Sequence, residues 1–549
     1  MNIFAPVKKL LSIVVKANDY ALSVPPNPSM GDVSSAIAFA LAKKKGKSPV
    51  EVAESIAKKI KPSGMIDEIK VVGPYINFFL NKDKFANKVI KEVFEKKTKP
   101  KNKGTISLDI FGPNAMKGIH IGHVRNTTLG GCLDRLLNMA GYKVKTNSFG
   151  CNIGLPVAKV IWGYMNLGLK PEGNKGEWLG KVYTIASESF KKDNKAKEQI
   201  YDINKRLYSG DETLIKVYNQ LSSWSFDYVK QVEKKLRINI DKYFWERECI
   251  NDASIMIESL KKKGLAKESE GALIVDLKKY GLGVYVLLTS QGVPTYEAKD
   301  LGLQSMKKKL FKADKYILFT GAEQVMHFQQ IIKTLELLGF KKNSIIHIPY
   351  EEIIIDGKKI SSREGNVILF NALIEELTSK ALNEVMKKNQ SLDVDQKRII
   401  AYEIAISSLF YGMLKQDSNK KINFVMDEWV RFDGDTGAYI QYNYVRANKI
   451  LSSQKVTATK IKITRPTEFE LIKKINEFDD VFNDSVKRLN PAIIARYAYS
   501  LADSFSKFYE QCPIIKDGVN QERLLLAKAY CSRLGLVMKL MGFNPLKEM

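Results

Sequence analysis

Apolar residues recur at helical spacing near the start of this chain, then in short extended runs, then in an alternation of the two, and at helical spacing again over the last third. Ile37, Ala38, Leu41 and Ala42, followed by Val50, Ala53, Ile56, Ala57 and Ile60, lie three and four residues apart. That spacing predicts two helices, the second opened by Ser48 as N-cap with Pro49 at its first position. The run 69–80 is extended, and Gly73-Pro74 divides it into two strands. These elements make a small α+β unit over residues 1–100, followed by a polar, lysine-dense linker at 95–104.

Strand and helix patterns alternate from 105 to 370, as in an open, doubly wound parallel sheet. Residues 105–111 are rich in β-branched and apolar types. Leu129, Leu133, Leu136, Leu137 and Ala140 then mark a helix that Gly141 stops, and a strand over 142–149 completes a βαβ unit. Charged helical sequence follows, read as an insertion over about 165–265 between two halves of the sheet. The second half is expected to hold strands at 272–277, 284–290, 316–320 and 345–350, with a helix at 323–338. A further short strand, Ile353–Ile355, leads to the loop 356–366. From 371 to 549 no strand pattern is found, and long amphipathic segments predict an all-helical bundle. The expected fold is thus multidomain: α+β, then a Rossmann-like α/β unit with a helical insertion, then α.

Composition narrows the class. No apolar run reaches membrane-spanning length, so a cytoplasmic protein without membrane contact is expected. The five cysteines are scattered and never form a C-x-x-C pair, which argues against zinc and against a disulfide framework. The net charge of +27 favours a polyanionic partner such as a nucleic acid, although lysine-rich genome usage would give the same excess. Tyr439, Tyr442 and Arg446 mix aromatic and basic groups in a form that stacks on unpaired nucleotides; packing inside the bundle accounts for them equally well.

Two loops carry candidate chemistry. Two of the chain's four histidines, His120 and His123, flank Ile121 and Gly122 where the first α/β strand runs into its helix. A helix N-terminus reached through a small-residue loop binds phosphate, because unpaired N–H groups and the positive end of the dipole face the ligand. The second loop is Lys359-Ile360-Ser361-Ser362-Arg363. Each follows a strand, so the sheet can bring both to its carboxyl edge, where lysine, arginine and imidazolium would stabilise charge on a triphosphate. No P-loop sequence is present.

The His-Ile-Gly-His motif followed by a Lys-Ile-Ser-Ser-Arg loop resembles the paired signatures of class I aminoacyl-tRNA synthetases, and the arginyl-tRNA synthetase family in particular. Gly31-Asp32 and Gly73 to Phe78 resemble that family's additional N-terminal domain, Gly112-Pro113-Asn114 its lead-in to the histidine motif, and Gly437 to Tyr442 the start of its anticodon-binding helices. The resemblance implies ATP and L-arginine as substrates, Mg²⁺ on the phosphates, tRNA(Arg) as partner and a monomer. It places Asp109, Asn114, Tyr296, Asp300 and Gln324 around arginine, Asp300 on the guanidinium and Asp109 with Asn114 on the α-amino and carboxylate end. His120, Gly122, His123, Lys359, Ser361, Ser362 and Arg363 fall to ATP. Ser362 stands where the usual signature has a second lysine, and Lys117 upstream of His120 is the implied replacement.

Two runs depart from the family pattern. Asn152-Ile153-Gly154-Leu155-Pro156 replaces aspartate-x-glycine-x-glutamine, and Thr289-Ser290-Gln291-Gly292 replaces arginine-serine-aspartate-glycine. Both are expected to remove polar groups from the neighbourhood of the pocket. Two rival readings stand beside arginine ligation: another class I synthetase, or a tRNA-binding paralogue without activity.

Overall fold

The computed structural model describes the chain apart from residues 1, 18, 96–99, 356–357, 360–367 and 389–391. The first unit runs α1 (Ala5–Val14), β1 (Leu22–Ser23), β2 (Val33–Ser35), α2 (Ile37–Lys45), α3 (Pro49–Ala57), β3 (Ile66–Val72), β4 (Tyr75–Leu80) and α4 (Lys82–Phe94). Its strands form an antiparallel sheet in the order β1-β2-β4-β3. Gly73 turns β3 into β4 at φ 58°, a left-handed conformation that costs glycine little. Ser48 caps α3 by accepting from the Val50 N–H.

The second unit contains β5 (Thr105–Asp109), α5 (Ile121–Met139), β6 (Lys143–Gly150), α6 (Leu155–Asn166), α7 (Lys175–Lys192), α8 (Asn194–Ser209) and α9 (Glu212–Lys235). It continues through β7 (Lys242–Trp245), α10 (Cys249–Lys262), β8 (Ala266–Ser269), β9 (Ala272–Asp276), β10 (Val284–Leu288), α11 (Tyr296–Phe311), β11 (Lys315–Gly321), α12 (Val325–Leu337) and β12 (Ile345–Tyr350). Five strands form a parallel sheet ordered β12-β11-β5-β6-β7.

Two expectations are corrected here. Residues 272–277 and 284–290 do not join the parallel sheet; β8, β9 and β10 form an antiparallel sheet of their own. The connection from β8 to β9 is Glu270-Gly271, with φ 51° and 74°, and a two-residue turn of that kind can only join antiparallel neighbours. The stretch 165–265 is not wholly an insertion either. Lys242–Trp245 returns to the sheet as edge strand β7, paired with Asn147–Gly150, and its four residues were hidden among charged helical sequence.

The remaining elements are β13 (Ile353–Ile355), β14 (Lys358–Lys359), α13 (Phe370–Lys388), α14 (Val394–Leu414), β15 (Ile422–Phe424), α15 (Met426–Trp429), α16 (Gly437–Ser453), α17 (Pro466–Asn476), α18 (Phe478–Arg488), α19 (Pro491–Gln511) and α20 (Gln521–Met541). Strand β15 corrects the all-helical reading of 371–549: it lies parallel to β13 in a sheet ordered β14-β13-β15. Three residues are too few to show a period.

One apolar core joins the three units. Leu129, Leu133, Leu136 and Leu137 of α5 are buried with Phe410 and Met413 of α14 and Leu534 and Met538 of α20. Polar ties reinforce it. Asn87 of α4 exchanges two 2.8 Å hydrogen bonds with the Ile461 backbone, and Arg135 Nε donates to the Leu540 carbonyl at 2.9 Å. No helix among the described residues is long and apolar enough to cross a membrane.

Helix α11 can lie against α10 because residue 302 is glycine: an added Cβ would sit 2.4 Å from the Cys249 carbonyl oxygen. Backbone cannot yield as a side chain can. Gly302→Ala is therefore expected to cost about 1–3 kcal/mol in a urea unfolding curve. It should also weaken ligand binding at Tyr296 and Asp300, which α11 carries.

Candidate active site

The parallel sheet reverses direction of growth between β5 and β11: β6 and β7 are added on one side of β5, β11 and β12 on the other. Crevices at such switch points, outside the carboxyl ends of the strands, are where ligands bind in this architecture. A cavity of about 590 Å³ lies there. Asp109, Asn114, Tyr296, Asp300 and Gln324 all line it, so five residues from three separate stretches of sequence meet around one cavity.

The charges in this cavity are unequally compensated. Its lining holds three carboxylates: Asp109, Glu246 and Asp300. Asp109 pairs with Lys307, whose side chain is wholly buried, and Glu246 pairs with Lys299 at 2.6 Å. Among the described residues Asp300 forms no ion pair with a lysine or arginine; its Oδ2 accepts from His327 Nε2 at 2.7 Å. Burial pushes the Asp300 carboxyl above its usual range, against the pull of the His327 hydrogen bond. Burial likewise raises Asp109, with Lys307 opposing. The Tyr296 phenol is held up first by the Asp300 charge and then by burial, and its ring stacks on His327 with centroids 5.2 Å apart.

A second cavity, about 230 Å³, adjoins the first and shares Asn114 with it. Lys117, His120 and His123 form one wall, and Gly180, Lys181, Tyr183 and Thr184 of α7 another. Among the described residues the lining contains no carboxylate. The two histidines double as the cap of α5. His120 Nδ1 accepts from the Gly122 N–H at 3.1 Å, and His123 Nδ1 accepts from the His120 N–H at 3.2 Å. Gly122 leaves room for this, since a Cβ there would stand 3.0 Å from the His120 ring.

The cap fixes the chemistry of both rings. A nitrogen that accepts a backbone N–H carries no proton, so each imidazole keeps its proton on Nε2. Burial, helped by Lys117, lowers His120 to about 4, and burial with the charges of His120 and Lys117 holds His123 well below its ordinary value. The expected imidazolium is thus corrected: the site presents two neutral N–H donors, and its positive charge comes from lysine.

Lys359 lies in β14, paired with Ile354. Ser361, Ser362 and Arg363 fall outside the described residues. Tyr439 and Tyr442 of α16 are half-buried: Tyr439 packs on Tyr499 with centroids 5.6 Å apart, while the Arg446 guanidinium lies 5.3 Å from the Tyr442 ring and 4.1 Å from that of Tyr509. These contacts are those of helix packing.

Of the two departing runs, Ile153, Gly154 and Pro156 do line the larger cavity, whereas 289–292 forms a turn outside both linings, closed by the Gly292 N–H on the Thr289 carbonyl. The expectation that both border the pocket is corrected for the second. Sequence reasoning also passed over Lys307 and His327. Tyr296, Asp300, Leu303 and Lys307 recur at i, i+4, i+7 and i+11, so a polar stripe on one face of α11 was the available signal.

Residues 86–428 match the family described as tRNA synthetases class I (R), catalytic domain. The chain belongs to the arginyl family of class I tRNA synthetases. Residues 3–80 match an arginyl tRNA synthetase N terminal domain and 440–549 a DALR anticodon binding domain. The arginine–tRNA ligase of Pediococcus pentosaceus is 30% identical over 96% of this chain and 95% of its own length, and that of Clostridium perfringens 29% identical over 99% and 98%. The arginyl-tRNA synthetase of Thermus thermophilus shares the fold with a TM-score of 0.81 at 21% identity, covering 100% of both chains.

The capping imidazoles give this family member a pH signature. As pH falls through 6.5 the unfolded chain takes up a proton at His120, and the folded chain does so only near 4. The stability carried by the neutral ring is therefore full above 6.5 and lost between 6.5 and 4. His120→Asn keeps a capping oxygen without the titration. Its unfolding free energy, measured by urea titration across that window, is expected to fall less steeply with acid than that of the parent.

Proposed function

We propose that this chain is an arginine–tRNA ligase that activates L-arginine with ATP and transfers it to the terminal adenosine of tRNA(Arg) in the cytoplasm. The observation that carries the reading is the charge balance of the larger cavity. Two of its carboxylates form ion pairs with lysines within the protein, and among the described residues Asp300 forms none with a lysine or arginine, having the His327 ring as its hydrogen-bond partner. A guanidinium, planar with forked N–H donors, suits a buried carboxylate that still offers an oxygen. Tyr296 and Gln324 supply polar contacts beside it.

Asn114, common to both cavities, stands where the amino-acid carboxylate would meet the α-phosphate. In the first step an arginine carboxylate oxygen attacks the α-phosphorus in line and pyrophosphate leaves. No residue forms a covalent intermediate. Lys117 and the Nε2–H groups of His120 and His123 face the phosphates, supplying charge and donors where negative charge develops. Lys359, Ser361, Ser362 and Arg363 would close on them from the opposite loop. Among the described residues the lining of the nucleotide cavity includes no carboxylate, and Mg²⁺ would enter with the triphosphate and add positive charge there. In the second step the 2′-hydroxyl of the tRNA's terminal adenosine attacks the arginyl carbonyl, releasing AMP. The N-terminal unit and the C-terminal bundle, including Tyr439, Tyr442 and Arg446, would hold the tRNA.

The test is aminoacylation of purified tRNA with each amino acid offered in turn. Charging with arginine alone is expected; charging with another amino acid would move the assignment, and none at all would leave a tRNA-binding paralogue. Asp300→Asn should lower kcat/KM for arginine about 100-fold, since a charge-assisted contact to a buried carboxylate is lost. Its KM for ATP should change little.

A further inference from the structure

We propose that Tyr183, on helix α7 of the insertion, is the positioning residue that holds the Lys117 ammonium in the nucleotide cavity without neutralising it. This rests on the reading of Lys117 as a phosphate-facing cation.

The argument begins with how Lys117 is presented. Its loop carries Met116 at φ 61°, a strained value for a side-chain-bearing residue, so the loop needs fastening. The insertion fastens it at two points. Ser225 of α9 accepts the Met116 N–H at 2.8 Å. On α7, the bare Cα of Gly180 lets the helix touch the loop, since an added Cβ would lie 2.9 Å from the Gly118 nitrogen. That close approach brings Tyr183, three residues along α7 from Gly180, over Lys117. The ammonium lies 4.6 Å from the Tyr183 ring centroid.

A lysine can be held by a carboxylate or by an aromatic face. The first cancels its charge. The second attracts it through the ring quadrupole and leaves the full charge for a ligand. Among the described residues Lys117 pairs with no carboxylate, and the lining of its cavity contains none. Lys159 lies 5.9 Å from the same ring, so Tyr183 is placed between two cations. Burial would push the Tyr183 phenol up, yet the charge of Lys117, with Ser187 and Lys159, brings it below its ordinary value. Such an arrangement suits a polyanion and wastes no charge when none is bound. It also makes the insertion a working wall of the nucleotide cavity, adding a group that the two signature loops do not contain.

The experiment compares Tyr183→Phe, Tyr183→Leu, Lys117→Ala and the Leu/Ala double variant of the full chain by arginine-dependent ATP–pyrophosphate exchange with tRNA present. Tyr183→Leu is expected to lower kcat/KM for ATP about tenfold, with the KM for arginine and tRNA affinity unchanged. Tyr183→Phe, which keeps the ring, should recover most of that loss. The double variant should be no worse than Lys117→Ala alone, because the two groups act as one. Wild-type kinetics in Tyr183→Leu, additive losses in the double variant, or an equal loss toward arginine and ATP with a lowered unfolding midpoint in Tyr183→Phe would each overturn the proposal. Normal adenylate formation by Lys117→Ala would instead remove the reading on which it rests. A damaging Lys117→Ala beside a harmless Tyr183→Leu removes only the role of Tyr183.

Discussion

Helix α5 starts inside the protein, and its first N–H groups must find acceptors there. Most helices meet this need with a serine, threonine, asparagine or aspartate. Here two imidazoles do it, His120 on the Gly122 N–H and His123 on the His120 N–H. The consequence reaches past helix stability. By occupying Nδ1 the cap assigns the proton to Nε2, and by packing the rings 4.0 Å apart it makes double protonation unfavourable. Two neutral donors at the positive end of a helix dipole are pre-set for phosphate, with no reorganisation when it arrives. The same contact thus begins the helix, selects the tautomer and places both rings in the wall of the smaller cavity.

On the proposed reading, specificity would rest on a different device, the arrangement of charge in the neighbouring cavity. Asp109 and Asp300 are both carboxylates at its surface, yet they are not equivalent. Lys307 is buried on the far side of Asp109 and supplies a cation from within the protein, so Asp109 offers a ligand an acceptor atom more than a charge. Asp300 has, among the described residues, the ring nitrogen of His327 as its partner and only the more distant charge of Lys307. If arginine binds as proposed, such a pocket would discriminate by leaving one buried carboxylate without a lysine or arginine partner until the right side chain enters.

The histidine motif and the lysine of the second loop were legible as short motifs, whereas the five cavity residues were named only through the family resemblance, and the structure brings those five to one cavity. The overall alternation of strand and helix was legible because periodicity is local. What escaped was set by distant partners. Lys242–Trp245 is a strand because Asn147–Gly150 offers an unpaired edge, and nothing within KYFW distinguishes it from an aromatic stretch of helix. Lys307 reads as one more lysine on a basic helix until Asp109, nearly 200 residues earlier, is seen beside it. Tyr183 belongs to a segment that composition assigns to solvent, and only the glycine contact of α7 with the loop before His120 gives it a neighbour. The hairpin β8–β9 is the exception, since Glu270-Gly271 was a readable turn whose implication for strand direction was missed.

The smallest missed element, β15, has the widest mechanical reach. Arg125 of α5 is wholly buried, and a guanidinium removed from water must be answered by hydrogen-bond acceptors. Its Nη2 donates to the Ser418 and Lys420 carbonyls at 3.1 and 2.7 Å, in the turn that leads into β15. From the same turn the Ser418 carbonyl also accepts the Glu351 N–H at 2.8 Å, at the start of β13. Strand β15 then runs parallel to β13, and β13 pairs with β14, which carries Lys359. The helix that presents His120 and His123 is therefore joined to the strand that presents Lys359 through a segment lying beyond both motifs, at the entrance to the C-terminal bundle. The turn at 417–420 thus ties the start of α5 to the β13–β15 sheet, because the buried guanidinium of Arg125 takes its acceptors there.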